Sequence, residues 1–362
     1  MNFGFTSQIV PIQGAEPGRD RAQIAPLRAM IGDARVVALG EPALGVHEPL
    51  LFRNHLFKYL VEELGFTAIA VESAFPESRR LANFIAGGSG AAEEILEATH
   101  SWWHEPLEEN MQLVRWMRSY NKKPKGKHPV RFYAIDLGYT GKWGSRPTPL
   151  ALEAALQYLK HIDVASARSL GAIFQPWLLR LANPTAPWTK SEHTAFTSAI
   201  DDLIALLERE RVTYLAVGPS ADYEWAHRAA IVAQQTDRMF RVAPPETPGE
   251  QVPRSAWRMV NARDAAMAEN VLWALRQEGT AGRILVITHK AHVQLAPVAG
   301  GPWDAFERMP TSMGQYLRAS LGKRLVVVGM SAATSKVLPT PAFHAQVVID
   351  ALTPARPIQQ QK

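Results

Sequence analysis

Four short apolar runs in this chain of 362 residues are each followed at once by an ionisable side chain. Gly40-Glu41 follows Arg35–Leu39, Glu72 follows Thr67–Val71, Asp136 follows Val130–Ile135, and His289 and His292 follow Arg283–Thr288. Carboxylates and imidazoles brought together in this way can take up and return protons near neutral pH, or hold the polar groups of a substrate. Polar residues also open ordinary loops, which is the plainer explanation for any one of them. Two glutamates, an aspartate and two histidines after parallel-strand patterns favour a site, because ligands of open parallel sheets bind outside the carboxyl ends of the strands. The His289-Lys290-Ala291-His292 spacing could turn both imidazoles toward one ligand, as acid–base catalysts or as metal ligands. One of them could equally be a hydrogen-bonded strand-end residue. A metal would need Glu41, Glu72 or Asp136 to join the histidines, and the expectation is that neither a metal nor another cofactor is used.

Several standard signatures are missing. No Gly-x-Ser-x-Gly nucleophile elbow occurs, since the nearest candidate, around Ser312, begins with Pro310. No Gly-x-x-x-x-Gly-Lys phosphate loop is present. His47-Glu48-Pro49-Leu50-Leu51 and His104-Glu105-Pro106-Leu107-Glu108 begin like a zinc-protease motif, but neither has the second histidine, and each proline suits a helix start.

The elements that must position these groups follow from hydrophobic patterning. The four runs, with a fifth at Arg324–Val328, read as strands buried on both faces of a parallel sheet. Leu56, Leu60 and Leu64 recur at helical spacing within Leu50–Leu64, and Gly65 suits a helix stop. Leu107–Tyr120 places Met111, Val114 and Met117 on one helical face. Alternating strands and helices predict an α/β fold with a mainly parallel sheet flanked by helices. Amphipathic helices are predicted over Pro149–His161, Ala165–Leu181, Ser191–Arg209 and Asp222–Phe240, with a strand-like run, Val212–Val217, that stays unassigned. Pro244-Pro245-Glu246-Thr247-Pro248 closes that block, and a helix over Trp257–Gln277 returns to the sheet. The expected division is an α/β core domain of residues 1–146 and 256–362 carrying the site, and a large helical insertion, 147–255, covering it.

Hydrophobic residues at 47% and charged residues at 20% describe a folded globular chain rather than a disordered one. The absence of cysteine excludes disulfides, a thiolate nucleophile and Cys-ligated zinc, and fits a reducing compartment. Met1–Thr6 lacks the basic and apolar regions of a signal peptide, and no apolar stretch is long enough to span a membrane. A cytoplasmic protein without membrane contact is expected. The net charge of +5 is mild, and the cluster Lys122-Lys123-Pro124-Lys125-Gly126-Lys127 reads as a solvated loop rather than a nucleic-acid patch. Trp102, Trp103, Trp143, Trp177 and Trp188 could line a pocket for a bulky, partly apolar small molecule, although core packing is the commoner use of tryptophan.

The same residues resemble the erythromycin esterase family. The likeness is carried by Gly40-Glu41, Gly45, Glu48, Arg53, Val61-Glu62-Glu63-Leu64-Gly65-Phe66, Trp116-Met117-Arg118 and Phe132–Asp136. Arg263-Asp264, Met267–Asn270, His289–His292 and Met313-Gly314 extend it over roughly residues 20–330, and it fades in the tail after Val328. The resemblance implies hydrolysis of a macrolide lactone ester or action on another substrate, with a histidine activating water beside glutamates, an arginine and a histidine pair. It assigns Glu41, Glu72, His289 and His292 to catalysis and Arg53 and Arg263 to substrate binding. Leu44, His47 and Asp136 join the expected substrate-binding set. The family's first motif usually reads Gly-Glu-x-Ser/Thr-His-Gly-x-x-Glu; here Ala43 and Leu44 replace the hydroxyl residue and the water-activating histidine. Leucine has neither lone pair nor proton to give, and losing such a base commonly costs about 10²–10⁴-fold in rate. His47 is three residues away and could take over only with a different local backbone.

Three functions follow. The site could carry a transformation that needs no activated water, such as cyclisation, elimination or acyl rearrangement of a natural-product-like substrate, helped by a drier pocket. It could remain an ester or lactone hydrolase with His289, His292 or Glu72 as base. It could bind a ligand without turnover, though a pure binder gains little from the retained polar cluster.

Overall fold

The β-branched runs fold into a single parallel sheet in the computed structural model, which describes residues 7–14, 16–98, 107–123, 128–140, 146–147, 149–182, 188–243, 253–298, 301–334 and 340–358. The segment 1–6, the second His-Glu-Pro motif, Trp102, Trp103, Trp143, Lys125 and the proline-rich stretch 244–248 lie outside the described residues. In chain order the elements begin β1 (Gln8–Ile12), α1 (Arg21–Ile31), β2 (Val36–Glu41), α2 (His47–Leu64), β3 (Ala68–Ala74), α3 (Ser78–Ile85), α4 (Ala92–Glu97), α5 (Glu108–Asn121) and β4 (Arg131–Asp136). A small hairpin, β5 (Tyr139–Thr140) and β6 (Arg146–Pro147), leads to α6 (Leu150–Ile162), α7 (Val164–Ala182), α8 (Lys190–Arg209), α9 (Arg211–Val217) and α10 (Ser220–Arg241). The chain then runs through α11 (Trp257–Gln277), β7 (Ile284–His289), α12 (Lys290–Val293), α13 (Met313–Leu321), β8 (Leu325–Ala332) and β9 (Ala345–Ile349).

Seven strands pair in the order β1-β9-β8-β2-β7-β3-β4, every pair parallel. Successive residues of a strand face opposite sides, and both sides here are apolar. Val36, Ala38, Ala68, Ala70, Ile284, Val286 and Val327 face a core shared with α6, α7, α8, α10 and α11. Val37, Leu39, Ile69, Val71, Leu285, Ile287 and Val328 face another, shared with α1, α2 and α5. This explains why the strands read as continuous hydrophobic runs, and it places buried residues of α6, α7, α8 and α10 in the core on one side of the sheet.

The expected helices form with boundaries within a few residues. Gly65 ends α2 in the left-handed region at φ 70°, where a side chain is disfavoured. Val212–Val217 is helical rather than extended: only Tyr214 of α9 is buried, and Val212 and Val217 project outward. Tyr214 donates to Asp163 Oδ2 at 2.8 Å, which fixes the short helix to the α6–α7 junction. Trp177 and Trp188 pack on each other and on Phe196 within the helical block. No helix among the described residues is long and apolar enough to cross a membrane.

Candidate active site

Four neighbouring strands, β2, β7, β3 and β4, deliver Glu41, His289, Glu72 and Asp136 to the same carboxyl edge. The register sets Glu41 opposite His289. Between β3 and β4 the register shifts, with Val71 opposite Ala134 but Ala74 opposite Asp136. Glu72 therefore lies in a bulge, a device that bends a strand and re-aims a side chain. Gly40 lets α12 close over the end of β2: a Cβ there would stand 2.6 Å from Val293 Cγ2 and 2.7 Å from Lys290 Cα.

Arg263, reaching over from α11, ties the carboxylates together. Its Nε donates to Asp136 Oδ1 at 3.0 Å and its Nη2 to Asp136 Oδ2 at 2.6 Å, a bidentate clamp. Nη2 also donates to Glu72 Oε1 at 2.6 Å, and Nη1 donates to His292 Nε2 at 3.0 Å when that ring is neutral. Glu72 Oε2 accepts the His289 amide at 2.8 Å. Burial alone would raise the Glu72 carboxyl, but the His292 and Arg263 charges and the His289 amide outweigh it and hold it below the usual carboxylate range. A guanidinium thus sits between the carboxylates, where a metal ion would otherwise be sought.

His292 is buried and donates from Nδ1 to Asp264 Oδ1 at 2.7 Å. Burial opposes its protonation, but the Asp264 and Glu72 charges raise it above the ordinary histidine value against the repulsion of Arg263. His289 differs. Its Nδ1 accepts the Ala291 amide at 3.3 Å. Burial and the His292 charge hold it below the ordinary value, partly offset by Glu72. Of the pair, His292 is the more basic and His289 is the one built into the start of α12.

Glu41 is the outlier of the cluster. It is 1% exposed, and neither carboxyl oxygen has a hydrogen-bond partner among the described residues. Burial pushes its carboxyl up to about 7; the Arg53 charge pulls against this and the Glu72 charge adds to it. A buried polar group without a partner is costly, so such a group at a strand end is a candidate for meeting substrate. Arg53 is itself fully buried, with Nε and Nη2 donating to Asn54 Oδ1 at 3.1 and 2.9 Å and Nη2 to Asn110 Oδ1 at 2.9 Å. Burial lowers its guanidinium to about 10, against the pull of Glu41 and Glu109.

The loop after β2 divides the remaining candidates. Leu44 is 47% exposed. His47, the first residue of α2, is buried and donates from Nδ1 to the Glu109 carboxylate, while its amide donates to Thr353 O at 2.8 Å. Glu48 accepts Thr353 N and Oγ1, both at 2.7 Å. The chain end is thereby strapped to the start of α2, and His47 is turned toward α5.

The residue patterns did not single out Glu109 or Asn110, nor a role for Asp264. Glu109 looks like an ordinary first-turn acid of an amphipathic helix. Asp264 had one usable signal, its place beside Arg263 on an otherwise apolar helix. A cavity of about 500 Å³ opens elsewhere, at the outer edge of β4, lined by Phe75, Arg79, Tyr133, Trp225 and Trp273 among others, and none of the strand-end carboxylates or histidines lines it.

Comparison with known proteins gives these residues a context. The family profile described as Erythromycin esterase matches residues 61–359. That span holds Glu72, Asp136, Arg263, His289 and His292, begins after Leu44, and includes most of the tail, where the likeness read from sequence fades. The erythromycin esterase type II of Escherichia coli is 26% identical over 337 residues, covering 89% of this chain and 74% of that protein. A crystal structure of a Bacillus cereus protein superposes with a TM-score of 0.69 at 23% identity, over 99% of this chain and 79% of that one. A structure described as a succinoglycan biosynthesis protein gives 0.68 at 22% identity, over 90% and 73%. A mutant of the erythromycin esterase EreC in its open conformation gives 0.64 at 20% identity, over 91% and 76%. At these identities the structural likenesses bear on the fold alone.

Proposed function

The chain belongs to the erythromycin esterase family, whose chemistry is in general ester hydrolysis on small molecules, and from this starting point we propose that this member carries out a water-independent rearrangement instead. The observation that carries the proposal is Leu44, an exposed apolar side chain where the family resemblance expects the histidine that activates water. The remaining polar groups support retained proton chemistry rather than loss of function.

Glu41 suits the central role, because a carboxyl near 7 can be base and acid in turn at neutral pH. Its ionised form would take the proton of a substrate hydroxyl as that oxygen attacks the substrate's own ester carbonyl. The same proton then passes from Glu41 to the departing alkoxide. The acyl group moves within one molecule, and no water is consumed. His292 is the second proton-handling group, and His289 and Glu72 complete the catalytic set. Arg263 and Asp136 form the polar wall, Arg53 lies behind Glu41, and Leu44 meets the apolar part of a bulky natural-product-like substrate. His47, held by Glu109, shapes the loop that presents Leu44. The helical block 147–255 would shelter the mouth, and the mild charge and missing cysteines support a cytoplasmic protein acting on a small molecule rather than on nucleic acid or membrane.

A second reading, ester or lactone hydrolysis with His289, His292 or Glu72 as base, is favoured by the family's general chemistry, with His292 the strongest of the three by its raised proton affinity. Mass spectrometry on macrolide and hydroxy-ester substrates separates the two. A product of unchanged mass supports rearrangement; gain of one water, lost in Leu44-intact protein carrying His292→Ala, establishes the hydrolase. Catalytic silence toward every substrate combined with tight binding would favour a ligand-binding homologue.

A further inference from the structure

Asp264 is fully buried on α11, one residue after Arg263. Each of its oxygens is committed to a different element. Oδ1 accepts from His292 Nδ1 at 2.7 Å, on α12, and Oδ2 accepts the Met313 amide at 3.0 Å, at the start of α13. That amide belongs to the first turn of a nine-residue helix, where backbone N–H groups lack intrahelical partners. A carboxylate there is stabilised by the helix dipole as well.

The approach of α13 is unusually close. A Cβ on Gly314 would stand 1.9 Å from Val293 O and 2.7 Å from Gln294 O, so no side chain fits without moving the helix away. Ser312 Oγ donates to Gln294 O at 2.5 Å and fastens the same contact. On the other edge of the imidazole, Arg263 Nη1 donates to Nε2 at 3.0 Å. Nε2 can accept only if it carries the lone pair, which requires the ring proton on Nδ1 in the neutral form.

We propose that Asp264 is a positioning residue that fixes His292 in the Nδ1–H tautomer with its Nε2 lone pair toward Arg263 and Glu72, and that Gly314 makes this possible by admitting the first turn of α13. Its functional meaning rests on the proposed use of His292 in proton transfer. The charged and titratable groups facing His292 are Asp264, Glu72 at 3.5 Å, Arg263, and His289 with ring centroids 6.4 Å apart. Removing the Asp264 charge therefore leaves Glu72 as the remaining anion.

The test is long-range nitrogen–proton NMR of isotope-labelled histidine rings, with His292 assigned through His292→Gln. Wild-type protein should show His292 as the Nδ1–H tautomer when neutral. In Asp264→Asn the amide oxygen can satisfy the Met313 N–H only by turning its NH2 toward His292, so Nδ1 must accept and the proton moves to Nε2. The His292 titration should fall by about one unit or more, the usual effect of losing one adjacent opposite charge. Gly314→Ala should shift both readings the same way, with circular dichroism confirming the fold. A wild-type Nε2–H tautomer overturns the proposal even if no variant folds. A folded Asp264→Asn protein with unchanged tautomer and titration overturns it too. Neither readout needs a substrate, so the outcome stands apart from whether the protein rearranges or hydrolyses esters.

Discussion

Replacing Glu41 by glutamine should stabilise this protein, and more so as pH rises. The carboxyl is fully buried without a partner and titrates near 7, against about 4.3 for glutamate in an unfolded chain. A group whose folded value is raised contributes most at low pH, and that contribution is lost as pH climbs through the folded value. At pH 5 the folded carboxyl is neutral and the unfolded one largely ionised, so the cost is small. By pH 8.5 both are ionised, and the full shift is expressed. Integrating the linkage between those limits gives an added stability of Glu41→Gln over wild type of about 2–3 kcal/mol. Urea unfolding of both proteins at pH 5 and pH 8.5 isolates this difference, because every other titrating group is shared. A difference that does not grow with pH refutes the reasoning. So does a glutamine variant that is increasingly destabilised at high pH, for that would make Glu41 an ionised partner of Arg53.

Arg263→Met leaves Glu72 and Asp136 without their shared guanidinium and should destabilise the fold by about 3–5 kcal/mol at pH 8 in urea unfolding. The deficit should narrow on acidification, because Glu72, held ionised by the His292 and Arg263 charges in the wild type, takes up a proton more readily once Arg263 is gone. Gly40→Ala places a methyl against Val293 and the Lys290 backbone and should cost about 1–3 kcal/mol, read as a lowered Tm.

The strands that carry the site were legible because both of their faces are buried, which turns alternation into unbroken Val, Ile and Leu runs such as Ile284–Ile287. The edge strand β1 and its neighbour β9 were not anticipated. Gln8–Ile12 is partly exposed and contains Pro11, and Ala345–Ile349 is short and includes Gln346. Val212–Val217 shows the opposite difficulty: β-branched residues suggest a strand, but one buried tyrosine and its bond to Asp163 hold a helical turn. Glu41, Glu72, Asp136, His289 and His292 could be placed at one edge from strand order alone. What could not be read was their pairing. The bulge at Glu72, the clamp of Arg263 and the commitment of His47 to Glu109 all depend on contacts between residues far apart in sequence. Asp264 and Gly314 matter through an approach of two helices that no local pattern encodes.

If this member has been diverted from hydrolysis at one position, restoring the base expected at Leu44 should bring hydrolysis back. Wild-type and Leu44→His proteins would be assayed side by side for release of p-nitrophenol from simple esters and for ring opening of erythromycin. Negligible hydrolysis by the wild type is expected, with a gain of at least about 10²-fold in the histidine variant, the lower end of what a positioned general base contributes. Efficient hydrolysis by the wild type, abolished by His292→Ala and unaffected by Leu44→His, would contradict that expectation and leave an esterase whose base has moved.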